Sequence, residues 1–334
     1  MIFESAFAFL PEILVGNGFL RKEYEASIVN AFSLAVLQSL NARNYPNPLS
    51  AIEVEKTYEE NGFITTGINS PKRYPRADLF VKSFSAGIAS KELSLFGWRH
   101  NNWLEAKFYR LNENGKPKIP STNAILLMTK DIFRLCALIK PQGRQGQKNN
   151  RGRIANRSTN IINASRYFLH IYEGRPEDFL GKNQRNKKKI HRQWLINIRK
   201  PGIQNIKIDI GSFVGESKNF QKDFPPPLNQ LILEAKIQNH LFEQIGKSAN
   251  NKITCILTRV ISFKISMGSY SLSENETRMR SETPPAEGGD KIRNEIGRLM
   301  GIGTKSSERD IPVSQDEIMD AEEYESNSLL NVQW

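Results

Sequence analysis

Trp103-Leu104-Glu105-Ala106-Lys107-Phe108-Tyr109 is the stretch on which the fold turns. Apolar and polar residues alternate along it with the two-residue period of a β-strand. Leu104, Ala106 and Phe108 share one face, and Glu105, Lys107 and Tyr109 share the other. Upstream, Asp78-Leu79-Phe80-Val81-Lys82-Ser83-Phe84 is rich in β-formers and is expected to be a strand that opens on an aspartate. Asp78 and Glu105 have 26 residues between them, and Phe96 to Asn102 reads as a turn or irregular crossover. Asn112-Glu113-Asn114-Gly115 ends the second strand. If the two strands are neighbours, Asp78, Glu105 and Lys107 meet in one cleft.

Two carboxylates at close range repel each other and attract a divalent cation. Hard oxygen ligands suit Mg²⁺, with Mn²⁺ as a substitute; Mg²⁺ keeps several waters and takes one or two carboxylates plus a phosphate oxygen. Such an ion polarises a phosphodiester and acidifies a bound water. Lys107 would orient that water or neutralise charge developing in the transition state. The competing expectation for Asp78, Glu105 and Lys107 is a cross-strand ion pair on an exposed sheet face.

Outward from this pair the chain alternates helices and strands. Residues 21–40 are predicted to be a helix, with Ile28, Ala31, Phe32, Ala35 and Val36 at helical spacing, and a second helix is predicted from Ser50 to Glu60. Thr122 to Ile139 reads as a helix and Arg166 to Tyr172 as a strand. Strands are expected near Trp194–Ile198 and Ile206–Ile210. Pro225-Pro226-Pro227 is expected to open a helix from Leu228 to Ile245, and Lys252 to Ser266 is β-rich. That predicted helix carries a second Glu-x-Lys, Glu234-Ala235-Lys236. On a helix its two charges diverge by about 200°, which marks a solvated face rather than a site. After Ser271 the chain turns polar, with a helix expected near Asp290–Met300.

Together these residues resemble the PD-(D/E)xK nuclease superfamily: Tyr74-Pro75-Arg76-Ala77-Asp78, then Trp103-Leu104-Glu105-Ala106-Lys107, in the order helix, strand with Asp, strand with Glu-x-Lys, helix, strand. The resemblance covers residues 20–175. It implies an α/β fold with a mixed central sheet flanked by helices, the restriction-endonuclease-like core, here with extra β-rich C-terminal elements and a polar tail. It also implies Mg²⁺-dependent hydrolysis of nucleic-acid phosphodiesters, with Asp78 and Glu105 as metal ligands and Lys107 as the catalytic lysine. Some members add a helix-borne Glu; Glu25, just before the apolar residues Ile28, Val29 and Phe32, is the candidate. A helix N-terminal Glu that merely answers the dipole is the alternative. The proline stands three residues before Asp78 rather than next to it, a departure from the family pattern.

Charge agrees with a polyanionic partner. The 334 residues carry a net +12. Arg110 to Lys200 alone holds 21 Lys and Arg against five acids, while the last thirty residues are acidic. Arg144, Lys148, Arg151, Arg153 and Arg157 lie in a polar, glycine-containing stretch, 141–160, read as a flexible loop; Arg185, Lys187, Lys188, Lys189 and Arg192 follow near Trp194. Both runs would grip DNA phosphates without reading sequence, or are simply solvated. Cys136 and Cys255 are flanked by apolar residues and read as core residues of a reducing compartment, not a zinc or disulfide pair. No apolar run reaches membrane-span length and no secretion leader is evident, so the expected location is cytoplasmic. The expected organisation is a nuclease domain over 1–271 and a flexible tail over 272–334. A DNA endonuclease of restriction or phage-defence type, with a homodimer as one way to cut both strands, stands against a repair or recombination nuclease and against a non-catalytic nucleic-acid-binding protein.

Overall fold

Strands buried on both faces form the middle of the main sheet, with helices laid on its two sides. The computed structural model describes residues 2–16, 25–45, 47–58, 76–82, 101–112, 114–139, 142–143, 161–162, 164–180, 193–214, 218–245, 252–275, 291–293 and 295–296. Two helices come first, α1 (Ile2–Gly16) and α2 (Glu25–Asn41). Strands β1 (Ile52–Thr57), β2 (Arg76–Val81) and β3 (Asn101–Tyr109) follow, then α3 (Ser121–Ala137). A two-residue pair, β4 (Gln142–Gly143) with β5 (Ile161–Ile162), stands apart from the main sheet. Next come β6 (Ala164–Glu173), the short helices α4 (Pro176–Leu180) and α5 (Gln193–Asn197), and β7 (Gly202–Asp209). Helices α6 (Gly211–Val214) and α7 (Lys218–Asp223) lead to β8 (Leu231–Ile245), β9 (Lys252–Met267) and β10 (Tyr270–Asn275).

The main sheet has the order β1-β2-β3-β6-β9-β8-β7, with β10 added on β9. β3 and β6 run parallel, joined across α3, and the other pairs are antiparallel. The fold is therefore α/β with a mixed sheet flanked by helices. One core packs Ile28, Phe32, Val36 and α1 against Leu79, Leu104 and Tyr167. The other, on the opposite face, packs Met128, Phe133 and Leu135 of α3 against Phe80, Trp103 and Phe168.

α3 is fixed by a buried cation. Arg166 on β6 donates from Nε to the Leu135 carbonyl at 2.9 Å, from Nη2 to that of Ile139 at 2.9 Å, and from Nη1 to that of Ala164 at 3.1 Å. Two of these oxygens belong to the last turn of α3 and the residues just beyond it, where intrahelical donors run out.

Three predicted elements are different in the structure. Over its described residues the helix expected from Ser50 to Glu60 is instead a 3₁₀ turn (Pro48–Ala51) leading into β1. The β-branched Ile52, Val54 and Thr57 favour the extended chain, and β2 offers it a pairing edge. Around Trp194 the chain is a helical turn, because Trp194 and Ile198, four apart, are both buried. After the triple proline only Leu228–Gln230 turn helically; the rest is β8. Leu231, Leu233, Ala235 and Ile237 are buried while Glu234 and Lys236 are exposed, which is period 2, and β9 pairs along the whole length. Glu234 and Lys236 thus share a face after all. They remain solvated: Glu234 meets Lys207 at 3.0 Å, with both side chains more than half exposed.

The first compact unit runs from Met1 to Gly301, so β10 and the helical residues around Ile292 and Ile296, both fully buried, belong to it rather than to a tail beginning at 272. The second unit, Ile302–Trp334, lies outside the described residues. Cys136 and Cys255 are free and buried, and burial pushes the Cys255 thiol up to about 12. None of the described helices is long and apolar enough to cross a membrane.

Arg166→Met would remove the charged donor from three buried carbonyls. It is expected to cost at least about 3 kcal/mol, since hydrogen bonds from a charged donor contribute about 1.5–3 kcal/mol each. An unchanged urea midpoint would mean that α3 is held by packing alone.

Candidate active site

The sheet opens at Asp78. The β1–β2 ladder pairs Val54 with Leu79 and Lys56 with Ala77, and skips the pair between them, Glu55 and Asp78. Glu55 adopts a left-handed backbone, φ 53°, rare for a residue with a side chain. On the other side the β2–β3 ladder runs from Val81–Asn102 to Leu79–Leu104 and stops one step short of Asp78–Glu105. Asp78 Oδ2 takes the Ala106 N–H at 2.6 Å where the ladder ends. The antiparallel register sets Asp78 across from Glu105, on the face that carries Phe80 and Trp103. Lys107, two residues on, shares that face.

Glu105 has no exposed surface. Its Oε1 accepts from the Tyr58 hydroxyl at 2.6 Å, and its Oε2 from Arg134 Nη2 at 2.9 Å. Tyr58 follows the end of β1 and stacks on Trp103, centroids 5.4 Å apart. Arg134 projects from α3 and also bonds Asp131 Oδ1, one turn earlier on the same helix. Asp131 Oδ2 lies 3.5 Å from Lys107 Nζ. Three carboxylates and two cations thus form one cluster between β2, β3 and α3.

The electrostatics follow from burial. Desolvation raises the Glu105 pKa well above its ordinary value; Arg134 opposes this, and Asp78 and Asp131 reinforce it. Burial also raises Asp78, against the pull of Lys107 and the Ala106 N–H. For Arg134, burial disfavours the charge, but Glu105 and Asp131 more than offset it and the net shift is upward. Burial and the facing Glu105 carboxylate raise the Tyr58 hydroxyl.

Of the residues expected from sequence, Asp78, Glu105 and Lys107 come together. Glu25 opens α2, which packs on the opposite face against Leu79 and Leu104; its side chain lies outside the described residues. Arg144, Lys148, Arg151, Arg153, Arg157, Arg185, Lys187, Lys188, Lys189 and Arg192 also lie outside them. Trp194, near that basic run, is buried. His170 is a core residue held between Tyr172 and Thr258, and burial lowers its pKa to about 3.

Tyr58, Asp131 and Arg134 were not predicted. Asp131 was detectable: it stands three residues after Met128 and four before Leu135, on the apolar stripe of α3, where an unpaired charge is costly.

The donors fit a divalent cation in kind. Among the described residues no group of three or more His, Cys, Asp or Glu is arranged as a metal cage. Mg²⁺, however, needs only one or two carboxylates. Each carboxylate oxygen offers two lone-pair directions, so Tyr58 and Arg134 leave a second one on each oxygen of Glu105. Comparison with protein-family models, with curated proteins and with solved structures finds no match for the chain.

The raised carboxylates set a pH dependence. A group whose folded pKa lies above its unfolded value stabilises the fold in its protonated form. That stability is complete below the ordinary carboxylate range and is lost as pH rises through the raised values of Glu105 and Asp78. Metal-free protein is therefore expected to gain stability relative to Glu105→Gln as pH falls from about 8 toward about 5. Parallel urea midpoints for the two proteins across that range would refute the raised value.

Proposed function

We propose that the chain is a Mg²⁺-dependent endonuclease hydrolysing DNA phosphodiester bonds, acting in restriction or phage defence. The observation that carries this reading is the opened sheet, with Asp78 across from Glu105 and Lys107 on the same face. The order α2, β2 with Asp78, β3 with Glu-x-Lys, α3, β6 matches the element order of the PD-(D/E)xK resemblance, with β1 in addition.

Asp78 and Glu105 would hold the ion, which when bound polarises a phosphodiester and acidifies a water. Lys107 would then place its ammonium against the phosphate or the attacking water, held by Asp131 behind it. The net charge of +12 would draw DNA to the protein, and a homodimer would present two such sites to a duplex.

One observation favours a second reading, a nucleic-acid-binding protein without catalysis. Both oxygens of Glu105 already have partners, as a purely structural ion network requires.

Plasmid incubated with the full chain and Mg²⁺ or Mn²⁺ separates the two. Cleavage is expected, abolished by EDTA and reduced at least about 100-fold by Lys107→Ala or Asp78→Asn, with the fold intact by circular dichroism. Plasmid left whole under every metal, or cut equally by Asp78→Asn, would remove the nuclease reading.

A further inference from the structure

Arg134 is underused where it stands. A guanidinium normally meets a carboxylate with two parallel N–H donors. Here a single nitrogen, Nη2, serves both Glu105 Oε2 and Asp131 Oδ1. Among the described residues Arg134 Nε is buried with no hydrogen-bond partner, and so is Asp131 Oδ2, which lies 3.5 Å from Lys107 Nζ. Two orphans of opposite kind, a donor and an acceptor, thus sit on side chains that already touch. Each would satisfy the other if Arg134 turned fully onto Asp131. What prevents it is Glu105, a fully buried carboxylate that cannot be left without a cation.

We propose that Arg134 is the resident counter-cation of Glu105 and is exchanged for the divalent ion. As the ion takes Glu105, the guanidinium passes to Asp131 and pairs with it through Nε and Nη2. Arg134 and Asp131 are positioning residues in this scheme, not ligands. Arg134 keeps the metal-free site folded at the expense of ion affinity, and Asp131 receives it. This rests on the nuclease reading only for the presence of a divalent-ion site at Glu105.

Calorimetric titration of the full-length chain with Mn²⁺ tests it. Arg134→Gln keeps a donor beside Glu105 but removes the competing charge. It is expected to bind Mn²⁺ about tenfold tighter while its metal-free form melts lower. Asp131→Asn is expected to weaken binding about tenfold in the wild-type background, and to have little effect when Arg134→Gln is already present, because there is then no guanidinium to receive. If Arg134→Gln does not fold, Arg134→Lys loses the planar fork and is expected to bind tighter by a smaller factor. Unchanged or weaker binding in the Arg134 variants overturns the exchange. So does an Asp131→Asn loss that persists in the double variant, which would make Asp131 a direct ligand. Wild-type binding that Asp78→Asn abolishes but the Arg134 variants leave unaltered overturns the exchange and leaves the nuclease reading standing. Absence of binding in wild type and variants alike overturns both.

Discussion

A carboxylate with no exposed surface sits on the third strand of the sheet, and the surrounding structure answers it. Glu105 cannot be ionised there without compensation, because desolvation of a charge costs several kcal/mol even after relaxation. Compensation arrives from two directions that are far apart in sequence: Tyr58 from just beyond the end of β1 and Arg134 from the last turn of α3. Both depend on the positions of the elements that carry them. α3 is itself held at its last turn by Arg166 of β6, the strand parallel to β3. A second buried cation, bonded to the carbonyl of the residue next to Arg134, therefore helps to set where the first one stands.

The other constraint is a deliberate loss of sheet regularity. An uninterrupted β1–β2–β3 ladder would pair Glu55 with Asp78 and Asp78 with Glu105. Instead the β1–β2 ladder skips Asp78, the β2–β3 ladder ends before it, and Glu55 bears a left-handed backbone that costs on the order of 1 kcal/mol. Irregularity of this kind persists only where the surroundings over-determine it, and it clusters where groups must be aimed rather than paired. Asp78 is aimed: its Oδ2 takes the Ala106 N–H, which fixes the carboxylate beside Glu105.

How much of this the sequence disclosed depended on whether the period was local. The alternation of Trp103 to Tyr109 assigned Glu105 and Lys107 to one face, and β3 obeys it. The helical stripe of residues 122–139 likewise fixed α3. β8 misled because Leu228, Leu231, Ile232 and Ala235 satisfy a helical spacing as readily as Leu231, Leu233, Ala235 and Ile237 satisfy a strand. What decides is the partner β9, whose pairing is non-local and invisible in a window of twenty residues. Tyr58 closes a segment whose local spacing suits a helix and whose strand character comes from non-local pairing with β2. Asp131 and Arg134 were legible in principle, as charges on the buried stripe of an amphipathic helix, but their meeting with Glu105 required knowing which face of β3 the helix covers.

Local and global charge oppose each other in this chain. The whole carries +12, whereas the cluster sets three carboxylates against two cations. A polyanion is attracted to the protein at long range and repelled from this spot at short range. On the proposed reading that conflict is useful rather than defective. A phosphate cannot settle against Asp78 and Glu105 until additional positive charge lies between them, so the ion and the nucleic acid must occupy the site together. Burial strengthens the rule, since a low-dielectric setting magnifies both the repulsion without the ion and the attraction with it. The ionised cluster that makes the metal-free fold costly is, by the same electrostatics, what would make cation and phosphate depend on each other.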